Sequence, residues 1–385
     1  MRIVIVIIVM NLISCTPVSE RKSHSAPIPI MPELLDEDIL SSFNQVHLLP
    51  QVFTLDEQQQ QNFLEFFNSN ENKKTAPNLR VYKFLENKLT NFNNYEDTLI
   101  ASDVLSRGSG NCLSLAILTK SLTMLANIPI LYEIVETEPI YQRSGDVLLV
   151  SKHIRTTLLH KTGTVRGKPR TSLKDISIDY YPTDGNYHLI PIKEVEFYSM
   201  FYNNKAADNL ITDNNDSAYW NLKKSLELNP DNIIAINMMG IVHKRLGHLD
   251  ISEKIYLYGL SLDENNNTIL NNYLTLLKLQ NRSHEAKAIE LKLTNYVTKN
   301  PFYWVDLADV AFANKEYSQA IKLYKKARSM ADYLHHPYAG IAKSKKQQGK
   351  IKAARVAINK AIENLHTKDS KDKYKDEYRQ ILLSL

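Results

Sequence analysis

Cysteine is nearly absent from this 385-residue sequence, which has two, Cys15 and Cys112. That excludes the multi-bridge framework on which small secreted domains depend. Glycine is scarce too: there are 11 residues, six of them between Gly108 and Gly185. Turns and irregular backbone are therefore expected in that stretch, with mainly helical chain on either side. No apolar run reaches the ~20 residues that a membrane-spanning helix needs. There is no phosphate-binding P-loop and no dinucleotide fingerprint, and no metal-ligand spacing appears among the 11 histidines. No cofactor and no metal are expected. Neither sign of charge dominates, with 47 Lys+Arg against 42 Asp+Glu and a net charge of +5. Residues 315–379 are the exception, with 17 basic against 7 acidic side chains. They read as a solvated helical surface, with an anionic partner or membrane surface as the other reading; no nucleic-acid partner is expected. The composition, 43% hydrophobic and 23% charged, is otherwise that of ordinary globular domains.

The N-terminal run MRIVIVIIVMNLISC, ending at Cys15, joins a basic start at Arg2 to an apolar stretch from Ile3 to Ile13 interrupted by Asn11. The stretch has the length of a secretory signal core. Its closing tetrad, Leu12-Ile13-Ser14-Cys15, resembles the lipobox of bacterial lipoproteins. The resemblance implies cleavage before Cys15 and lipidation of its thiol. Thr16 is not the aspartate that retains such proteins at the inner membrane, so in a Gram-negative cell the resemblance implies the outer membrane. Residues 16–33, rich in Pro, Ser and charge, read as a flexible tether. With Cys15 acylated, Cys112 is the lone free thiol of an exported, lipid-anchored chain.

From Ser199 onward a 34-residue period appears, with frames starting at Ser199, Ile233, Asn267, Pro301 and His335. One position repeats as Ala218, Ser252, Ala286, Ala320 and Ala354, and another as Ala206, Gly240, Leu274, Ala308 and Ala342. Small residues at such spacing let two antiparallel helices approach, and large apolar neighbours fill the groove to the next pair. The frame at 301–334 closely resembles a tetratricopeptide repeat; the frame from Asn267, with Leu274, Glu290 and Leu293, departs most. Five repeats over 199–368 and a capping helix over 369–385 are expected. Such arrays bind proteins or peptides on a concave face, to which Asn237, Asn271 and Tyr273 are candidate contributors.

The segment most suggestive of chemistry is Ser106-Arg-Gly-Ser-Gly-Asn-Cys-Leu-Ser-Leu-Ala116. Its glycines make a tight loop, and Leu115, Leu118, Leu122 and Leu125 form a helical stripe ending at Ile128-Pro129. Cys112 then stands at a helix N-terminus, where backbone N–H groups and the helix dipole favour a thiolate and can hold an oxyanion. Strand-like segments follow at 130–135, 146–160 and 176–181. His153 lies within the second. Ile176, Ile178 and Tyr180 of the third alternate toward one face, leaving Asp179 on the other. A nucleophile needs a base and a group to orient it. His153 and Asp179 are the candidates, with His160 or His188 and Asp175 or Asp184 as alternatives.

The run SRGSGNCLSLAILTKSL resembles the bacterial branch of the transglutaminase-like superfamily that carries G-N-C-L-S on its active helix and trailing tetratricopeptide repeats. The resemblance spans roughly residues 75–210, and the repeats extend it to the end. It implies a papain-like core with a Cys112–His153–Asp179 triad acting on amide bonds. The FYSMFYNNKAADNL run at 197–210 resembles the close of that domain. Asn111 has no assigned role, and no side-chain oxyanion donor is assigned. The basic stretch 161–170 reads as an insertion or strand turn.

The expected fold class is therefore α+β: a papain/transglutaminase-like domain over 34–198, followed by an all-α solenoid. A helical lead-in (Leu34–Phe43, Asp56–Phe67, Leu79–Phe92) is expected to pack on the core. The expected function is a membrane-anchored cysteine peptidase, amidase or acyltransferase whose repeats recruit a protein. The alternative is an inactive peptide-holding module on a repeat scaffold.

Overall fold

A computed structural model describes residues 46–88, 91–92, 98–144, 147–160, 164–165, 168–169, 174–180, 188–293, 300–365 and 368–385. The signal segment, the tether, Cys15, the helix expected at Leu34–Phe43 and the alternative aspartate Asp184 lie outside them.

The N-terminal half opens with α1 (Leu49–Phe53), α2 (Glu57–Asn68), a 3-10 turn (Asn72–Lys74), α3 (Pro77–Lys88), β1 (Asn91–Phe92), α4 (Ala101–Arg107) and β2 (Ser109–Gly110). The helix expected over Leu79–Phe92 thus stops at Lys88, and Asn91–Phe92 instead pairs in parallel with Ser109–Gly110. Then come α5 (Cys112–Ala126), β3 (Ile130–Ser144), β4 (Val147–Leu158), β5 (Thr164–Val165), β6 (Lys168–Pro169), β7 (Ile176–Asp179) and β8 (His188–Ile192). The main sheet is antiparallel in the order β7-β4-β3-β8. β5 and β6 form a small hairpin within the basic 161–170 stretch.

Around α5 the half is organised as a shell. Leu113, Leu115, Ala116, Ile117, Leu118 and Leu122 are all buried, and so are Ser114, Thr119, Ser121 and Thr123. A helix buried on nearly every side is a core element, not the surface helix that a single leucine stripe describes. Its hydroxyls survive burial by bonding back along the helix, Thr119 Oγ1 to the Leu115 carbonyl at 2.8 Å and Ser121 Oγ to that of Ile117 at 3.0 Å. The lead-in closes one side of the shell. Phe63 of α2 and Val81, Phe84 and Leu85 of α3 share one core with α5 and with Ile154 and Leu158 of β4.

The second half is a run of helix pairs: α6 (Glu194–Ile211) with α7 (Asn215–Leu228), α8 (Ile233–Arg245) with α9 (Leu249–Leu262), and α10 (Asn267–Leu279) with α11 (Ser283–Leu293). α12 (Pro301–Ala313) with α13 (Tyr317–Met330) and α14 (His335–Gln347) with α15 (Ile351–Glu363) follow, and α16 (Lys368–Leu383) closes the run. α8, α10, α12 and α14 begin at Ile233, Asn267, Pro301 and His335, one repeat period apart. The small positions explain themselves sterically. A Cβ on Gly240 would stand 2.3 Å from the Tyr256 ring, and one on Gly259 2.5 Å from Ile269 Cδ1. The array is an α-solenoid of stacked helix pairs.

The two halves share a helix. α6 runs through position 198/199, where the sequence places the domain boundary. Its first turns put Phe197, Phe201 and Tyr202 into the α5 core, with Phe197 stacked on Tyr132 at 4.2 Å. Its last turns put Ala206 and Leu210 into the first solenoid core.

Candidate functional site

The loop ahead of Cys112 is built by residues whose roles are individually legible. Gly108 ends α4 in the left-handed region (φ +64°), with its N–H on the Val104 carbonyl at 2.9 Å. A Cβ on Gly110 would lie 2.9 Å from Ser114 Cβ, so the loop approaches the helix as only glycine allows. Asn111 is the N-cap of α5: its Oδ1 accepts from Ser114 N at 2.9 Å and from Ser114 Oγ at 2.8 Å, and its Nδ2 donates to Thr98 Oγ1 at 2.9 Å. Ser114 Oγ in turn accepts from Leu99 N at 2.9 Å. The Asn-Cys-Leu-Ser tetrad thus fixes the helix start and ties it to the chain at 98–99. The role left open for Asn111 is that of a cap.

Cys112 is the first residue of α5 and is partly exposed. The structure places it against β4, beside Ile154. The backbone groups of Ile154, Leu113 and Cys112 itself act to lower the thiol's pKa, but burial dominates and, with the nearby Asp179 charge, pushes it above the ordinary thiol range. The thiolate expected from the helix start is therefore not the resting form.

His153 and Asp179 are brought together: His153 Nε2 lies 2.6 Å from Asp179 Oδ1. His153 is buried, on β4 one residue before Ile154; Asp179 ends β7, opposite Arg155 in the ladder. Nδ1 is the ring nitrogen that Asp179 does not engage. The alternatives are placed elsewhere. Asp175 accepts the backbone N–H of His160 at 2.7 Å, and His188 is exposed at the start of β8, opposite Glu136.

Two features escape a reading of the sequence. Tyr180, next to Asp179, bridges three elements: its hydroxyl lies 2.6 Å from Thr156 Oγ1 on β4 and donates to Thr119 Oγ1 on α5 at 2.7 Å. Burial raises its pKa well above the usual phenol range, so the hydroxyl keeps its proton. On β3, Glu133 accepts from Arg155 at 2.9 Å and Thr157 at 3.0 Å. Both networks pin β4 to its neighbours just beyond His153, at residues 155–157; only the alternation of Arg155 and Thr157 after His153 hinted at the second.

The candidate ligand-facing residues of the repeats are partly used up. Asn237 accepts from Asn272 at 2.8 Å and Tyr273 donates to Glu253 at 2.8 Å, and both are buried. They hold successive repeats together. Asn271 is partly buried, with its Nδ2 on the Asn267 carbonyl at 2.8 Å. Among the described residues no group of three or more His, Cys, Asp or Glu could hold a metal, and no helix is long and apolar enough to cross a membrane. A cleft of about 640 Å³ beside α1 and α2, lined by His47, Gln51, Asp56 and Ser102 among others, includes none of Cys112, His153 and Asp179.

No protein-family model matches the sequence, and no curated protein matches it. Solved structures of repeat proteins are similar over about half of the chain. MamA is 17% identical, covering 46% of this chain and 94% of that one with a TM-score of 0.26. PilF of Pseudomonas aeruginosa is 20% identical, covering 50% and 90%, TM-score 0.33. TTC0263, a thermophilic TPR protein in Thermus thermophilus, is 13% identical, covering 48% and 99%, TM-score 0.35. The repeat architecture rests on the regular recurrence of the helix pairs themselves. The class so defined is a repeat scaffold joined, through a shared helix, to an α+β unit with a buried cysteine-bearing helix.

Proposed function

We propose that this protein is a cysteine-dependent hydrolase or acyltransferase of transglutaminase-like type, acting on peptide or isopeptide amides, with a repeat scaffold for a protein partner. The observation that carries the reading is the His153–Asp179 pair at 2.6 Å on strands packed against the helix that begins with Cys112. In the proposed reaction His153 takes the Cys112 proton as the sulfur attacks the amide carbonyl. Backbone N–H groups at the start of α5 hold the oxyanion, Asp179 steadies the imidazolium, and His153 returns the proton to the leaving amine. The resulting thioester passes its acyl group to water, giving hydrolysis, or to an amine, giving transfer. A thiol pushed up by burial suits a neutral resting pair in which proton transfer accompanies attack, not a preformed ion pair.

The same observation favours a second reading, a non-catalytic peptide-holding module on the scaffold. Alkylation separates the two. With Cys15→Ser in the full chain, the rate of iodoacetamide reaction at Cys112 is followed from pH 5 to 9, with and without His153→Ala. A rate at neutral pH that drops roughly tenfold or more in His153→Ala supports the enzyme. A rate indifferent to His153 that rises only at alkaline pH sinks it. We further propose export and lipid anchoring at Cys15, on the signal-like N-terminus and lipobox-like tetrad; mass spectrometry of the mature N-terminus tests this.

A further inference from the structure

β3 and β4 outrun the strands described beside them. Among the described residues, β8 pairs with β3 from Tyr132 to Glu136, and β7 pairs with β4 from Arg155 to Leu158. Beyond a register shift between Val135 and Ile140, the ladder between β3 and β4 continues as a ribbon to Ser144 and Val147. Such a ribbon is marginal alone in water and leaves an unpaired edge. The solenoid supplies what it lacks. Arg143 is paired directly with Leu148 across the ladder, and Tyr141 lies two residues from Arg143 along β3, so these three side chains share one face. That face meets the fourth and fifth repeats. Tyr141 and Leu148 pack against the core that contains Phe302 and Ala339, with Trp304 and Tyr333 beside them. The Arg143 guanidinium lies 4.4 Å over the Phe302 ring and bonds Asp306 Oδ1 at 2.5 Å. The edge N–H of Tyr141 is capped by the Tyr333 hydroxyl at 2.7 Å.

We propose that these repeats take an extended β-ribbon of the chain itself as their ligand, and that by gripping its tip they hold His153 in place. Leu148 is five residues from His153 on one continuous strand, roughly 17 Å away, with the register shift between them. Arg143 is then a positioning residue that acts through β4. The surface selects an aromatic and an arginine two residues apart on one strand face, the arginine stacked on Phe302 and neutralised by Asp306. The assignment of a purpose to this grip rests on the proposed role of His153.

The test is amide hydrogen exchange of the full chain, comparing Arg143→Asp, Asp306→Arg and the charge-swapped double variant. Arg143 is only partly exposed, whereas Asp306 is open, at 60% side-chain exposure. Each single variant should speed exchange along 147–154 by roughly tenfold, the swap should return it to within about threefold, and α8 should not change. Unchanged exchange at 147–154, a swap that fails to restore it, or acceleration that stops short of His153 would each overturn the proposal. If charge reversal also loosens α8, Arg143→Gln is read by the same criteria. Exchange is also measured in a Cys112→Ala background. An inert thiol therefore leaves this result readable, and a flat exchange result leaves the alkylation experiment untouched.

Discussion

The two halves are held together in different ways. In the first, one core gathers residues from Val52 to Tyr202 around α5. In the second, three smaller cores succeed one another along the chain, each built from neighbouring helices, with Tyr141 and Leu148 of the ribbon added to the last. A defect in a single core reached by distant segments is shared by all of them, whereas a defect in a nearest-neighbour array stays where it is made. The difference also suits the work proposed for each half. Cys112, His153 and Asp179 come from a helix and two separate strands and need one rigid frame. A scaffold needs only a repeated surface.

The largest effect should come from the centre of the first half. Leu118 is wholly buried in α5, and Leu118→Ala should cost about 3 kcal/mol through lost contacts and a residual cavity. Denaturant unfolding followed by exchange should show α1–α5 and β3–β8 loosening together while α10 to α15 keep their protection. Loss of protection spread evenly over both halves would mean that α6 welds them into one cooperative unit.

Acid should act on the second half. His243, in α8, is wholly buried, and burial with the nearby His248 depresses its pKa to about 4. An unfolded chain takes up this proton near pH 6.5, and the folded chain refuses it down to about pH 4. Stability from this site is therefore level above neutrality and falls as the pH drops from 6.5 toward 4, by about 3 kcal/mol in total. His336 is pushed down in the same direction by burial, by His335 and by Arg143, so the fourth and fifth repeats share the trend. His243→Phe should flatten the acid limb of a thermal-stability profile for α7–α9 and leave that of α14. An unchanged profile in those helices would remove His243 as the cause.

What was legible in the sequence follows the same division. The repeats advertise themselves because one steric rule recurs along the array, as Gly240, Ala308 and Ala342 illustrate, with Leu274 the departure. The start of α5 was legible because glycine, asparagine and serine have narrow conformational uses. The ribbon from β3 to β4 was not, because its length is decided by a surface far along the chain: Tyr141 and Arg143 find Tyr333 and Asp306. Nor could the alternation of polar residues along β4 say that burial would raise the Cys112 thiol, since that depends on everything packed around it. α6 hid its double role for a related reason: its one apolar face serves two cores in succession.

The smallest effect sharpens the contrast most cleanly. Between the two helices of each pair one residue takes positive φ: Asp213 (57°), Gly247 (83°), Asn281 (57°), Lys315 (65°) and Gly349 (72°). Each stands one repeat period from the next, so the turn is a constant of the fold while the residue that fills it varies. Glycine accepts this conformation freely and Asp or Asn tolerate it, but at Lys315 the Cβ is strained by about 1 kcal/mol. Lys315→Gly relieves the strain and gives back part of the gain through a more flexible unfolded chain, for a net stabilisation of about 0.5 kcal/mol. Gly349→Lys should do the reverse in the next repeat, where open space surrounds the missing Cβ and only backbone strain is at issue. In a nearest-neighbour array each change should appear in the exchange rates of its own pair, α12–α13 or α14–α15, and fade beyond the adjacent helices. A shift of equal size across the whole solenoid would show that its cores unfold as one, and the contrast with the first half would disappear.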